Sequence, residues 1–563
     1  MKGELGERLR ESQTALVEVF RNVGLRRLNL ALAGSVMGDW AYSVAVSVYA
    51  FREGGATTLG LFGVARFVSM AVAAPLMSVL ADRVDRRRLM VTVDVVRAVL
   101  VAMAAVVVLT EGPELAVYAL SLSVSLLGTA FRPAQMALLP SLARRPAELT
   151  AANVTASTIE AVGSFVGPAL AGAMLVVADV PLVFAFDALT FVWSGILVAL
   201  VPAPVAPEAE AVEVAGDAGD TDAEPPSRNP LAGAGAGFRT IFSSRDLTIL
   251  VALYCAQTVV AGASFVFDVA IVLDLLDMQE SSVGLIDAFM GIGGLIGGFV
   301  ALVLATRGRL AGDFGIGVIL WSAPLLLVVA WPGLPSVLLA MALLGLGNSL
   351  VDINAFTIIQ RLVPDQVLGR VFGALEGALI AGMAVGSLAM PLLINTVGLR
   401  TGLFVIAVSV LALSLLAIPS LRHIDTVALA PEGVDAIRSI PLFAPLPDQG
   451  VERLARAAEL VEVAAGEQVF AQGDRGDLYF AIESGRARVV VDGVQVDLLG
   501  PGQGFGEIAL LRDEPRRAMI VAESDLVLRA VGRRVFLHVV TGHEEASAQA
   551  DRLIFDMIGG SPR

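Results

Sequence analysis

From Leu28 to Pro419 the chain runs as long apolar stretches parted by short polar breaks. A helix rises about 1.5 Å per residue, so crossing a hydrocarbon core takes about 20 apolar residues. Twelve segments reach that length: 28–51, 58–81, 89–110, 114–137, 149–178, 180–202, 247–273, 282–306, 312–331, 334–360, 368–396 and 399–420. A long polar insert parts the sixth from the seventh, which makes the pattern six plus six. After Pro419 the period changes. Short alternating runs (EQVFA, LYFAIE, ARVVVD, AMIVAE, LVLRAV) are divided by Gly473-Asp474, Gly476-Asp477, Ser484-Gly485, Asp492-Gly493 and Pro501-Gly502. Period-two runs at this spacing predict an all-β barrel or jelly roll. Helical pattern precedes it near Asp448–Leu460 and follows it from Arg533 to Ile558. The expected fold is a mostly α membrane protein with a C-terminal all-β domain and flanking helices.

Composition agrees. Hydrophobic residues make up 56%, charged residues 17%, and mean hydropathy is +0.77, where a soluble chain carries about 25% charge. A soluble enzyme, a disordered scaffold and a secreted disulfide protein are excluded. Cys255 is the one cysteine, and with three histidines it makes no zinc or haem constellation. No nucleophile–base pair or Walker loop stands out either, so neither an enzyme nor a metal protein is expected. A net charge of −15 argues against nucleic acid as a partner.

The charge is segregated. Loops after segments 2, 4, 6, 8 and 10 carry Arg83, Arg86, Arg87 and Arg88; Arg144 and Arg145; Arg228, Arg239 and Arg245; Arg307 and Arg309; Arg361 and Arg370. The opposite loops carry Arg52 and Arg400 with Glu53, Glu111, Glu114, Asp179, Asp274, Asp277 and Glu280. Basic loops face the cytoplasm, so a multi-pass cell-membrane protein with both termini cytoplasmic is expected. Residues 1–27 form a basic segment in which Leu5–Phe20 has helical period, either an amphipathic surface helix or a solvated tail. The halves span 28–202 and 246–420. Between them, 203–245 is an acidic linker with seven acids from Glu208 to Glu224. It is too polar to bury a core and reads as a flexible tether. Residues 421–438 connect to the β domain at 439–563.

Ionisable groups inside a bilayer are costly and mark function. Asp39, Arg66 and Glu160 lie well inside segments 1, 2 and 5 and are expected to form one charge cluster. Asp39 and Glu160 would titrate and Arg66 tune them, or the three would form a structural ion pair. Asp94 and Arg97 read as a structural pair. Asp187, Asp268, Asp287 and Asp352, with Asn348 and Asn354, are weaker candidates, and Glu376 is open. The bundle suits an amphipathic small molecule; lipophilic drug, siderophore and lysolipid all fit.

Ser78-Val79-Leu80-Ala81-Asp82-Arg83-Val84-Asp85-Arg86-Arg87-Arg88 resembles the signature loop of the major facilitator superfamily, G-x-L-A-D-R-x-G-R-[RK], with Ser78 and Asp85 at its glycines. The resemblance implies a conformational latch at Asp82, Arg83, Arg86 and Arg87. Gly163-Ser164-Phe165-Val166-Gly167-Pro168-Ala169-Leu170-Ala171-Gly172 resembles the exporter and antiporter motif of the superfamily, G-x-x-x-G-P-x-x-G-G, through Gly163, Gly167, Pro168 and Gly172. Gly38-Asp39-Trp40, Ala65-Arg66-Phe67, Phe131-Arg132-Pro133-Ala134-Gln135, and Val363-Pro364-Asp365 with Gly369-Arg370-Val371-Phe372 resemble the macrolide-efflux and enterobactin-exporter-like branch. The fold this implies is two pseudo-symmetric six-helix halves around a mid-membrane cavity.

Phe505-Gly506-Glu507-Ile508-Ala509-Leu510-Leu511-Arg512-Asp513-Glu514-Pro515-Arg516-Arg517-Ala518 resembles the phosphate-binding cassette of cyclic-nucleotide-binding domains. Gly473-Asp474-x-Gly476-Asp477-x-Tyr479-Phe480-x-Ile482-x-x-Gly485 resembles their upstream turn-and-strand motif. The resemblance implies that Gly506, Glu507, Ile508, Ala509, Arg516, Arg517 and Ala518 form a nucleotide site. Arg516 would pair the phosphate, and Glu507 would accept the ribose 2′-hydroxyl. Arg517 departs from the family's Ala or Thr. Without a threonine hydroxyl cAMP is preferred and cGMP less favoured. Phe536, Leu537 and Phe555 are candidates to cap the base, each read more readily as core. The chain is thus expected to be a secondary transporter, an exporter regulated by cyclic nucleotide. A lipid flippase, or a receptor with a nucleotide-sensing domain, stays open, as does the oligomeric state.

Overall fold

The computed structural model describes residues 19–143, 146–202, 230–305, 309–363, 365–427, 433–446, 448–541, 546 and 549, with the backbone alone at 75–76, 78–83, 146–147, 150, 230–234, 305, 365–366, 427 and 448–449. The expected N-terminal surface helix (to residue 18), the acidic run of the linker and Phe555 lie outside these residues. The chain divides into two compact units, Met1–Ala428 and Leu429–Arg563.

The first unit is helical: α1 (Val23–Arg83), α2 (Arg86–Leu109), α3 (Glu114–Gly128), α4 (Phe131–Leu142), α5 (Pro146–Val177), α6 (Val180–Ala199), α7 (Pro230–Ser243), α8 (Arg245–Ala270), α9 (Ser281–Ala305), α10 (Leu310–Leu320), α11 (Ala323–Ala330), α12 (Leu334–Leu362), α13 (Asp365–Val397) and α14 (Leu399–Val427). Helix α7 falls inside the stretch expected to be linker. Among the described residues eleven helical stretches are long and apolar enough to cross a membrane, the first being Val23–Ala74. That stretch has 52 residues, about 78 Å if straight, too long for one crossing. It breaks at Gly54–Gly55, where Gly55 has φ +61° and ψ −160°, a backbone state essentially reserved for glycine. The break falls between the first two expected segments, so α1 crosses twice and the six-plus-six pattern is recovered. Val95, Val99, Met103 and Val106 form an exposed apolar stripe on α2, as a lipid-facing helix requires. One end of the bundle carries Arg86, Arg87 and Arg245 (the basic end); the other carries Asp179 and Glu280.

The second unit holds α15 (Val434–Arg438), α16 (Asp448–Ala457), β1 (Ala458–Val463), β2 (Gln468–Phe470), β3 (Leu478–Ser484), β4 (Ala487–Val491), β5 (Val494–Leu499), β6 (Gly504–Phe505), α17 (Glu507–Arg512), β7 (Met519–Ala522), β8 (Leu526–Gly532) and α18 (Arg533–Thr541). The strands form two four-stranded sheets, β1-β8-β3-β6 and β2-β7-β4-β5, with every pairing antiparallel. This is the expected jelly roll. Phe480, Phe505, Ile520 and Leu528 fill the space between the sheets. Phe443, Tyr479 and Phe536 pack the helices onto one of them.

Candidate functional sites

In the jelly roll the two quoted motifs are joined through their backbones. Gly473 N–H donates to Arg516 O and Arg516 N–H to Asp474 O, each at 2.8 Å. Gly506, between β6 and α17, has φ +100°, which favours glycine. A Cβ there would stand 2.4 Å from Arg516 Nη1, and one at Gly476 would stand 2.8 Å from Arg516 Cζ. The two glycines therefore make room for one guanidinium. Arg516 is 5% exposed. Its Nη1 donates to Gly506 O at 3.1 Å and its Nη2 to Leu478 O at 2.6 Å, and it lies 4.2 Å over the Phe470 ring. Among the described residues it has no carboxylate partner. Burial lowers its pKa, opposed first by Glu507.

Glu507 opens α17 beside it. Burial raises the Glu507 carboxyl above its ordinary value, against the opposing pull of its own backbone N–H and of Arg516. Its Oε2 is shut off from solvent and accepts no hydrogen bond among the described residues. Ala509 is buried, while Ile508 and Ala518 are half-buried. Arg517 turns outward, its Nη2 donating to Glu514 at 2.8 Å. Phe536 is fully buried and stacked on Tyr479 at 4.9 Å, which makes it core; Leu537 packs against the same cluster.

In the bundle the expected cluster of Asp39, Arg66 and Glu160 is not what forms. Asp39 pairs with Arg97 of α2, which lies 4.0 Å over Phe191. Arg66 donates to Ser43 Oγ at 3.2 Å and lies over Phe265. Glu160 meets Arg132 at 3.3 Å. The expected Asp94–Arg97 pair is likewise replaced: Asp94 accepts from Ser194 at 2.7 Å. Depth along a helix follows from sequence, but which helix stands opposite does not. Asp187 is fully buried near this group, accepting from Thr190 at 3.2 Å.

Of the latch residues, Arg86 donates to Ala137 O at 2.9 Å and Arg87 to Ala199 O, the end of α6; cations suit such carbonyl-rich ends. The side chains of Asp82 and Arg83 are outside those described. On α5, a Cβ at Gly163 or Gly167 would strike Val36 or Trp40 of α1 at 2.4 and 2.5 Å. One at Gly172 would strike Ser281 O of α9 at 2.7 Å, and one at Gly284 would strike Pro168 O at 2.2 Å. The motif thus seats α5 against both halves. Sequence reading missed a clasp between the halves: Arg52 bonds Asp179 twice at 2.9 Å and Glu280 at 3.0 Å. Phe470 beneath Arg516 was also missed; neither has a sequence signal beyond its residue type.

The family model described as Major Facilitator Superfamily matches residues 28–309 and 253–454. The chain belongs to this superfamily. The model described as Cyclic nucleotide-binding domain matches residues 460–543, so this major facilitator protein carries such a domain at its C-terminal end. A cAMP-dependent protein kinase regulatory subunit of Yarrowia lipolytica is 34% identical over 99 residues, 18% of this chain and 26% of that one. That of Eremothecium gossypii is 39% identical over 103 residues, 18% and 22%. The chain thus spans about a quarter of the length of the curated relatives it matches. Among solved structures, the regulatory domain of Toxoplasma gondii PKA co-crystallised with cAMP is 27% identical, covering 22% of this chain and 48% of that one, with a TM-score of 0.20. The N-terminal domain of a Streptomyces coelicolor A3(2) transcriptional regulator is 26% identical, covering 22% and 91%, with a TM-score of 0.20.

Proposed function

We propose that this major facilitator protein exports an amphipathic small molecule across the cell membrane, and that cAMP, bound to its C-terminal domain, sets how readily it does so. Within the superfamily we place it in the macrolide-efflux and enterobactin-exporter-like branch, on the motifs quoted above, with both termini cytoplasmic and no covalent chemistry of its own. The observation that carries the nucleotide reading is Arg516: a buried guanidinium held, among the described residues, by neutral carbonyl oxygens and an aromatic face, beside a carboxylate with an unused oxygen. An anion that also bears a hydroxyl donor completes both, and a cyclic phosphate next to a ribose 2′-hydroxyl is such a group. Arg517, engaged by Glu514 at the surface, leaves the base side without a threonine-type donor, which favours cAMP. The kinase regulatory subunits among the relatives support the same choice. Export rests on the seating of α5 by Gly163, Gly167, Pro168 and Gly172. The nucleotide acts through its different affinity for two transport states, since a ligand shifts an equilibrium by no more than that difference.

Calorimetric titration of the purified chain with cAMP, cGMP and 5′-AMP tests the sensor. Selective cAMP binding, lost in Arg516→Ala, is expected. Transport in proteoliposomes tests the coupling: a rate unmoved by saturating cAMP, and by Arg516→Ala, would sink it.

A further inference from the structure

Helix α13 packs on α1 toward the end of the bundle away from the basic loops. Ser387 Oγ donates to Gly60 O at 3.1 Å, and Asn395 Nδ2 to Thr57 Oγ1 at 2.9 Å. Glu376 stands eleven residues before Ser387, about three turns, and so on the same helix face. There it is exposed, and a Cβ at Gly373 or Gly377 would meet nothing within 4 Å. The face that closes on the first half at one end therefore lines an open cleft between the halves nearer the basic end. Glu376 has no ion-pair or hydrogen-bond partner among the described residues.

Beside it runs a polar chain. Tyr254 of α8 donates to Asp352 Oδ1, and Asn348 Nδ2 donates to Asp352 Oδ2 at 2.9 Å. Gln257 Nε2 donates to Asn348 Oδ1 at 3.4 Å. Gln257 is 2% exposed, and its Oε1 is buried without a partner. Tyr254, Asp352 and Glu376 lie about 14–17 Å from the basic ends of their three helices, at one level deep in the membrane. Phe356 and Phe372, one turn from Asp352 and Glu376, stack on each other, so the two carboxylates stand on neighbouring turns of adjacent helices. Arg66, the guanidinium on the facing arm of α1, donates to Ser43 and lies over Phe265, and its Nε is buried without a partner among the described residues. Arg370 is six residues from Glu376 and about 120° round the helix from it. Among the described residues, the carboxylate and amide oxygens of this polar chain that accept nothing are Gln257 Oε1 and those of Glu376.

One turn nearer the basic end, Phe356 follows Asp352 by four residues and Phe372 precedes Glu376 by four. Their rings stack at 5.3 Å, and Phe356 is 38% exposed. Two carboxylates without a counter-ion, an unused amide oxygen and an aromatic platform within one turn are complementary to a cation with an apolar body. We propose that this wall of the cleft binds an amphipathic organic cation, an amine or onium ion, with its charge between Glu376 and Asp352 and its body against Phe356 and Phe372. The proposal rests on the transport reading and names its substrate class.

The test is equilibrium binding of tetraphenylphosphonium to the purified full chain, with the equally sized anion tetraphenylborate as control. The cation is expected to bind and the anion not. Glu376→Gln and Asp352→Asn should each weaken binding at least tenfold, and Glu376→Asp should restore most of it. Glu376 is exposed, so its variants keep the fold, which gel filtration and thermal unfolding verify. Equal binding of the anion, or unchanged cation binding in Glu376→Gln, overturns the site. Transport of a neutral amphipathic dye by the same protein in proteoliposomes separates the two proposals. Dye transport without cation binding sinks the cation site alone. Cation binding without transport of either probe upholds the site and sinks the exporter.

Discussion

Two arginines in this chain are buried to nearly the same degree and lie over an aromatic ring in nearly the same way. Arg97 is 4% exposed and 4.0 Å from the centre of Phe191; Arg516 is 5% exposed and 4.2 Å from that of Phe470. Their partners differ in charge. Arg97 has the carboxylate of Asp39, whereas Arg516 has two backbone carbonyls. In the bundle the charge is neutralised where it stands, and the pair acts as a strut between α1 and α2. In the jelly roll neutral dipoles hold the guanidinium in place and leave its net charge to attract an anion. The same side chain in the same degree of burial thus serves structure in one place and recognition in the other, and the partner decides which.

The largest effect that would break this contrast is at the strut. Asp39→Ala leaves the buried Arg97 guanidinium without its carboxylate, which costs about 1–3 kcal/mol because the Asp39 side of the pair is 39% exposed. Thermal unfolding of the detergent-solubilised protein should show it, and replacing both Asp39 and Arg97 with leucine should recover most of the loss. A melting temperature unchanged in Asp39→Ala would mean that Arg97 is not held by its carboxylate. Arg516→Ala should behave in the opposite manner. The domain keeps its fold, because Arg516 makes no ion pair among the described residues and the neighbouring Glu507 can take up a proton, while cAMP affinity falls about a hundredfold with the loss of charge-assisted bonds to phosphate. A large loss of stability with little loss of affinity would make Arg516 a second strut.

The sequence made one of these two arginines far easier to read than the other. Glu507 and Arg516 sit nine residues apart in one cassette, whose local backbone carries the whole constellation, so residue type and spacing were enough. Asp39 and Arg97 are 58 residues apart on different helices, and their meeting is set by how those helices are rotated in the bundle. Hydropathy reports how deep a residue lies and says little of its azimuth. That is why Asp39, Arg66 and Glu160 were grouped by depth, while each has its own neighbour in the structure. The six-plus-six pattern was legible for the converse reason. Span length is a local property, and the Gly54–Gly55 turn needs only glycine's freedom. The Arg52 clasp to Asp179 and Glu280 was illegible, since these residues read as ordinary polar loop positions.

Next come the glycines that seat Arg516. Gly506→Ala forces a left-handed residue and sets a Cβ 2.4 Å from Arg516 Nη1, a cost of about 1–3 kcal/mol. Gly476→Ala meets Arg516 Cζ at 2.8 Å without the backbone strain and should cost less. Both should weaken nucleotide binding as well as lower the melting temperature of the domain, because both push the same guanidinium off Phe470. Equal and small losses in the two variants would show that Arg516 is free to move.

The smallest expected effect separates recognition from structure by its sign. Burial raises the Glu507 carboxyl above the ordinary glutamate value of 4.5. A carboxyl raised in the folded state holds its proton more tightly there than in the unfolded chain. Its contribution to stability is therefore fully present below pH 4.5 and is lost as pH climbs through the raised value. The nucleotide-free domain should accordingly lose a little stability over that window, and Glu507→Gln should remove the slope. Nucleotide affinity should run the other way. The ionised carboxylate accepts the ribose 2′-hydroxyl better than the acid does, so cAMP binds more tightly as Glu507 gives up its proton. Titrations with cAMP and with 2′-deoxy-cAMP across the same pH range divide the two contributions. A rise in affinity with pH for cAMP alone places Glu507 on the ribose, whereas parallel profiles for both ligands would confine it to the structure of the loop.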